Sequence, residues 1–420
     1  MNEENKINHQ HTTGARIDFN SRDKMEQILY SNTKYTYFVR EFKKYPFHTN
    51  CASVRTCSYE KDGSFSFNLS NSETIYGAML EINLPVVTPS NSLCKLMYKK
   101  DFIYTLIQNL DFTVNMVYIE RLSGLYLKFY SCYMLNENKI GAYNKMIRKD
   151  LEEKVSNKLP FTKLYMPLPF EILKKFPSNL LVYGSPMLTC RVRDIWEFIT
   201  VVEHGISRDA NKIDIITNNE ITYKLHMEHM LYNNSYHQSE MISKKEIYCN
   251  FPNEFSVDFN DIVKLPMIKG CVQYIYFTLY DCVNKRYCGN INSIEFMDKD
   301  EYMSGFRRFK REEQESEEEI KRVYPIPKDY FSQVAPWYHA KTMNNHNEPF
   351  FLYSFADSKD VGFMNFNSIC LHIKITTDIK KEEYRNYKFI CIAMRRAKNR
   401  LEYGQLFGHE PICYSKHNST

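Results

Sequence analysis

The chain has 420 residues, of which 43% are hydrophobic, with 32 Tyr and 28 Phe against 2 Trp. Such a length predicts two packed domains of about 200 residues each, and the excess of Tyr and Phe tilts the expectation toward pleated, half-buried β surfaces. The formal net charge of +5 is spread along the chain, without the basic stripe of a dedicated nucleic-acid binder; the 13 Gly include no G-x-G-x-x-G or G-x-x-x-x-G-K-[ST] run, which excludes the common Gly-rich phosphate loops.

Residues 1–31 read as an arm without a strand pattern, in which "SRDKMEQILYSN" (21–32) predicts a short helix with Met25, Ile28 and Leu29 on one face. From residue 53 onward the apolar period drops to two. In "FSFNLS" (65–70), Phe65, Phe67 and Leu69 alternate with polar residues, and in "MLEINLP" (79–85) Leu80, Ile82 and Leu84 alternate with Glu81 and Asn83. "FTVNMVYIERL" (112–122) predicts a long strand or a strand pair, and residues 124–154 a helical insertion. β structure returns in 163–172, 179–184, 187–199 and 220–232, broken by Pro167, Pro169 and Pro177.

The polar stretch 233–246 predicts a junction, after which the pattern restarts. "VQYIYFTLY" (272–280) is an aromatic strand, and 306–322 is a mixed-charge run expected to be solvated. In "FLYSFADSKDVGFMNFNSI" (351–369) a strand–turn–strand is expected. Phe351, Tyr353 and Phe355 would share one face and Leu352 and Ser354 the other, with Gly362 in the turn and a second strand near Phe366. "ICLHIKIT" (369–376) alternates again, and 389–394 is an apolar strand. Many short strands with a few helical insertions predict an all-β chain built as two sandwiches or jelly rolls. The boundaries expected are an arm at 1–31, a first β domain at 32–235, a second at 236–412 and a tail at 413–420.

The chemistry-bearing residues do not assemble into a site. His226, Glu228, His229 and His237 form the best metal candidate, but on a strand His226 and Glu228 share a face while His229 points the other way. Cys282 and Cys288 have no His close by in sequence, His339 and His346 sit in a turn-forming stretch, and Glu382–Glu383 lies among lysines rather than in an apolar pocket. The 12 Cys include no C-x-x-C pair; Cys271 and Cys391 fall inside apolar runs, and the N-terminus is polar, which together predict a reducing compartment. No window approaches the ~20 apolar residues of a membrane span. No catalytic, cofactor-binding or metal-ligating residue is assigned, and the chain is expected not to be an enzyme.

The order of segments resembles the double jelly-roll major capsid proteins of nucleocytoplasmic large DNA viruses, of the iridovirus, asfarvirus and phycodnavirus type. The similarity begins at Phe42, Lys43, Tyr45, His48, Thr49 and Asn50, continues through "MLEINLP" and the Pro-interrupted stretch 164–195, and is densest at 329–369. There Tyr330, Phe331, Pro336, Tyr338, His339, Tyr353, Ser354, Phe355, Ala356, Gly362, Asn365, Phe366 and Ile369 match the family pattern, although the family's Pro-Ser-Gly is here Asp360-Val361-Gly362. Residues 386–408 resemble its terminal strand. The resemblance implies two tandem eight-stranded jelly rolls, a homotrimer that tiles a large icosahedral virion as pseudo-hexagonal capsomers, and assembly in the host cytoplasm. It also implies contact with minor capsid proteins and the inner membrane through the N-terminal arm, and no direct sequence-specific nucleic-acid binding. A transient scaffold of the poxvirus type, coating immature virion membranes, shares the fold; a carbohydrate-binding or enzymatic jelly roll is the reading from another class.

Overall fold

The structure is a computed structural model that describes residues 48–59, 64–69, 74–115, 117–177, 181, 184–232, 245–298, 301–304, 306–307, 323–342, 348–355, 363–367, 369–402 and 405–411. The arm with its short helix, Phe42, Lys43, Tyr45, His237, His346, the turn 356–362, most of the junction and the charged run, and the tail lie outside the described residues. Two sets of antiparallel sheets follow one another, both within the unit Asn50–Thr420.

The first set contains β1 (Phe65–Asn68), β2 (Thr74–Leu84), β3 (Ile107–Val114), β4 (Val117–Ser123), β5 (Thr162–Leu168), β6 (Pro186–Val192) and β7 (Thr222–Tyr232). In one sheet β2 pairs with β7 on one side and β5 on the other. In the facing sheet the order is β1–β6–β3–β4. The alternation read from the sequence decides what faces inward: Phe65, Phe67, Leu80, Ile82, Leu84, Leu110, Phe112, Leu164, Met166, Leu188, Leu225 and Met227 fill one core. The run 112–122 is a strand pair, β3 and β4, turning at Asn115 with φ 53°. The stretch 187–199 is not one strand. β6 ends at Val192, and Ile195–Phe198 is a 3-10 turn fixed by a capping box between Asp194 and Glu197.

The helical insertion is real: α1 (Phe102–Leu106) precedes β3, and α2 (Gly124–Tyr133) and α3 (Glu137–Met146) follow β4. The second set contains β8 (Lys245–Asp258), β9 (Cys271–Asp281), β10 (Ser293–Asp298), β11 (Phe351–Ser354), β12 (Leu371–Thr376) and β13 (Tyr387–Glu402). A seven-stranded sheet runs β8–β13–β9, and a five-stranded sheet contains β12 and β10 as neighbours. Their inner faces enclose a second core with Ile275, Phe277, Ile294, Phe296, Leu371, Ile373, Phe389 and Cys391.

The stretch 351–369 is a broken edge strand rather than a hairpin. β11 pairs with Tyr274–Phe277, and Met364–Asn365 pairs with Cys271–Val272 of the same strand, so both pieces line one side of β9. The faces are as the alternation predicts: Phe351, Tyr353 and Phe355 belong to the second core and Leu352 to the first.

Candidate functional site: the seam between the two sandwiches

β9 explains how the halves join. Val272, Ile275, Phe277 and Leu279 point into the second core, whereas Tyr274 and Tyr276 point out of it and into the first. A register shift between Val272 and Tyr274 breaks the alternation there. β13 is divided in the same way, with Phe389, Cys391 and Ala393 facing the second core and Ile392 and Met394 the first. A strand buried on both faces has no solvent side, which accounts for the near-continuous apolar run 271–281.

The first sandwich meets these residues with α2. Ser123 caps the helix by accepting a hydrogen bond from the Tyr126 N–H at 3.0 Å. Gly124 starts it because a Cβ there would overlap the carbonyl oxygens of Tyr104 and Ile107. The buried face carries Phe129 and Tyr133. The Phe129 and Tyr133 rings lie 5.3 and 5.8 Å from Tyr276, and Phe129 lies 4.6 Å from Phe350. Each such ring contributes about 1.5–3 kcal/mol of burial before entropy. Polar bonds fix the register: Lys341 N–H donates to the Tyr133 carbonyl at 2.8 Å, and Thr342 donates its hydroxyl to the Leu135 carbonyl at 2.5 Å. Lys128, 5% exposed, pairs with Asp101 at 2.6 Å and with Glu348 of the second sandwich at 3.4 Å. Lys285 reaches Asp209 at 2.6 Å. Burial raises the Tyr276 phenol well above its ordinary pKa, so this seam stays uncharged at its centre.

The candidate metal ligands do not converge. His226 lies on the outer face of β7, with Nε2 2.7 Å from Glu81; Glu228 is exposed on that face, and His229 is buried on the other. Among the described residues no group of three or more His, Cys, Asp or Glu has a metal-ligand arrangement. Cys282 is exposed, Cys288 is half-buried with its thiol pKa pushed up by burial, and Glu382 and Glu383 are exposed in the turn Lys381–Asn386. His339 ends α4 (Ala335–His339), its ring 6.4 Å from Tyr274. The sequence reading missed a different polar cluster. Glu81, which alternates with Leu80 and Ile82 along β2, is only 3% exposed. Burial alone would raise its pKa, but hydrogen bonds with His226, Asn83 and Lys163 outweigh that and hold it at about 2.

Comparison with known proteins adds to this geometry. No family model matches the chain. Over 232 residues it is 22% identical to the major capsid protein of Simulium iridescent virus, covering 50% of this chain and 49% of that protein. Over 220 residues it is 23% identical to the major capsid protein of Tipula iridescent virus, covering 47% of each. The chain thus spans about half the length of the curated relatives it matches. In three dimensions it superposes on VP54 of PBCV-1 with a TM-score of 0.65 and 13% identity, covering 89% of this chain and 99% of that one. The fold is that of the double jelly-roll capsid proteins. The Faustovirus major capsid protein is a further structural relative, with TM-score 0.62, 8% identity and 88% and 93% coverage. The two sandwiches are therefore the two jelly rolls, and the seam around Tyr276 is where one roll is bolted to the other.

Proposed function

We propose that the chain is a structural shell protein, a major capsid protein that assembles as homotrimers. Three double jelly rolls around a threefold axis give six similar sandwiches, a pseudo-hexagonal tile suited to a large icosahedral lattice. The observation that carries this reading is the doubly buried strand β9, which makes the two rolls of one chain a single building block. Closed sandwiches leave few free strand edges, so assembly is directed by loops and exposed side chains. Trp337 and Tyr338 on α4 suit that role, at 68% and 64% exposed, because Trp and Tyr concentrate binding energy at interfaces.

On this reading the role is structural rather than enzymatic, the chain resides in the virion shell, and it is assembled in the host cytoplasm. The proposed domains are an arm at 1–31, jelly rolls at 32–235 and 236–412, and a tail at 413–420. The arm is proposed to reach minor capsid proteins and the inner membrane, using Met25, Ile28 and Leu29 as a small apolar face. Mass spectrometry of purified mature particles tests the reading. Abundance of this chain there supports a capsid role, and its absence from mature particles with abundance in immature ones assigns it to a transient scaffold.

A further inference from the structure

The segment Arg148–Glu153 crosses the charged end of the seam as a short strap. Arg148 and Glu153 both adopt left-handed backbone, at φ 53° and 56°, on either side of the 3-10 turn Lys149–Leu151. Asp101 is also left-handed, at φ 60°. None of the three is glycine, and each such conformation stores strain that its surroundings must hold in place. Within the strap, Leu151 N–H donates to the Arg148 carbonyl at 3.0 Å, Glu152 N–H to the Lys149 carbonyl at 3.3 Å, and Arg148 pairs with Asp150 at 2.9 Å; outward, Arg148 N–H donates to the Lys145 carbonyl at 3.2 Å and Glu153 N–H to the Tyr98 carbonyl at 2.9 Å.

Glu152 is the strap's inward carboxyl group. Its Oε1 is buried with no hydrogen-bond partner among the described residues. The charged groups that act on it come from three elements: Asp101 from the turn before α1, Lys128 from α2, and Lys149 from the strap itself. Lys149 is solvent-exposed, and Lys128 is already committed to Asp101 and Glu348. Lys100 is half-exposed and 3.7 Å from Glu348, and Arg148 on the strap is paired with Asp150 at 2.9 Å. Three carboxyl groups thus share one buried ammonium, an arrangement that leaves Glu152 without a counter-charge of its own.

We infer that Glu152 is a proton latch: the strap lies closed against the seam while Glu152 is protonated and opens when that proton is lost. Burial first, and the neighbouring Asp101 second, push its pKa up to about 7. A carboxyl group whose pKa is higher closed than open favours the closed form at low pH and progressively loses that advantage as pH rises from about 4.5 through about 7. Between about pH 6 and about pH 8.5 the opening equilibrium should increase about tenfold.

The test is amide hydrogen exchange at Leu151 and Glu153 in the full chain, at about pH 6 and about pH 8.5, corrected for intrinsic exchange rates. In the native sequence, protection should fall about tenfold across this range, and in Glu152→Gln it should change less than about twofold. An equal pH response in both proteins overturns the inference, as does a response that survives Glu152→Gln but vanishes in Asp101→Asn. If Glu152→Gln does not fold, a carbon-13 carboxyl titration of the native protein decides: a Glu152 midpoint near 7 supports the latch, and one near the ordinary 4.5 overturns it.

Discussion

Tyr133 donates its phenol hydrogen to the backbone carbonyl of Phe350 at 2.5 Å, joining two residues 217 positions apart. The same ring stacks on Tyr276 at 19°. One side chain thus ties the helix of the first roll to β9 and to the residue that precedes β11 in the second. Tyr133→Phe should destabilise the chain by about 1–2 kcal/mol, because it leaves a buried carbonyl without its donor. Tyr276→Ala should cost about 3–5 kcal/mol through the cavity it opens in the seam. Denaturant unfolding of both variants checks this, and a double-mutant cycle of Phe129 with Tyr276 should show coupling above about 0.5 kcal/mol.

The Glu81 cluster sets an acid limit. Its pKa of about 2, against an ordinary 4.5, means that the folded state prefers the ionised carboxylate. That stabilisation is complete above about pH 4.5 and is lost as pH falls toward about 2. Lys163 and His226 are partly exposed and screened by solvent, so the contribution is on the order of 2 kcal/mol. Thermal unfolding measured at a series of acid pH values should show Glu81→Gln less stable than the native chain near neutrality and nearly equal to it near pH 2.

How much of this was legible in the sequence depends on how local the cause is. The period-two runs of β2 and β12 placed Leu80, Ile82, Leu371 and Ile373 in the cores, because alternation alone decides a sandwich interior. The opposite facing of Leu352 and its neighbours Phe351 and Tyr353 followed from the same rule. Ile195–Phe198 misled because an apolar run carries no sign of its backbone; the Asp194–Glu197 capping box was the signal available. Glu81 was missed for a different reason. A residue alternating with leucines faces away from them, and His226 and Lys163 on the flanking strands cover it there, but cross-strand neighbours are invisible in a local pattern. The seam was hidden for the same reason: nothing near α2 in sequence announces Tyr276.

Trp337 separates folding from assembly. It projects from α4, whose buried residues are Ala335 and Pro336. Trp337→Ser should leave unfolding free energy within about 0.5 kcal/mol of the native value. If α4 forms a contact between copies, the same change should weaken self-association about tenfold or more in sedimentation experiments. Unchanged association would remove α4 from the proposed contact surface.

The arm makes a contrasting prediction. Deleting residues 1–31 should leave the double jelly roll folded and the trimer intact, because the arm precedes the first strand pattern in the sequence. Shell assembly should nonetheless weaken, as judged by particle yield in an assembly reaction. Loss of folding, or assembly as efficient as that of the full chain, would disprove the role proposed for the arm.

The central claim, that this chain is a trimeric shell protein, is tested most directly by light scattering coupled to size-exclusion chromatography at micromolar concentration. The chain mass is 50.1 kDa, so the account predicts a species of about 150 kDa that persists on dilution. A species of about 50 kDa across the same concentrations would contradict it.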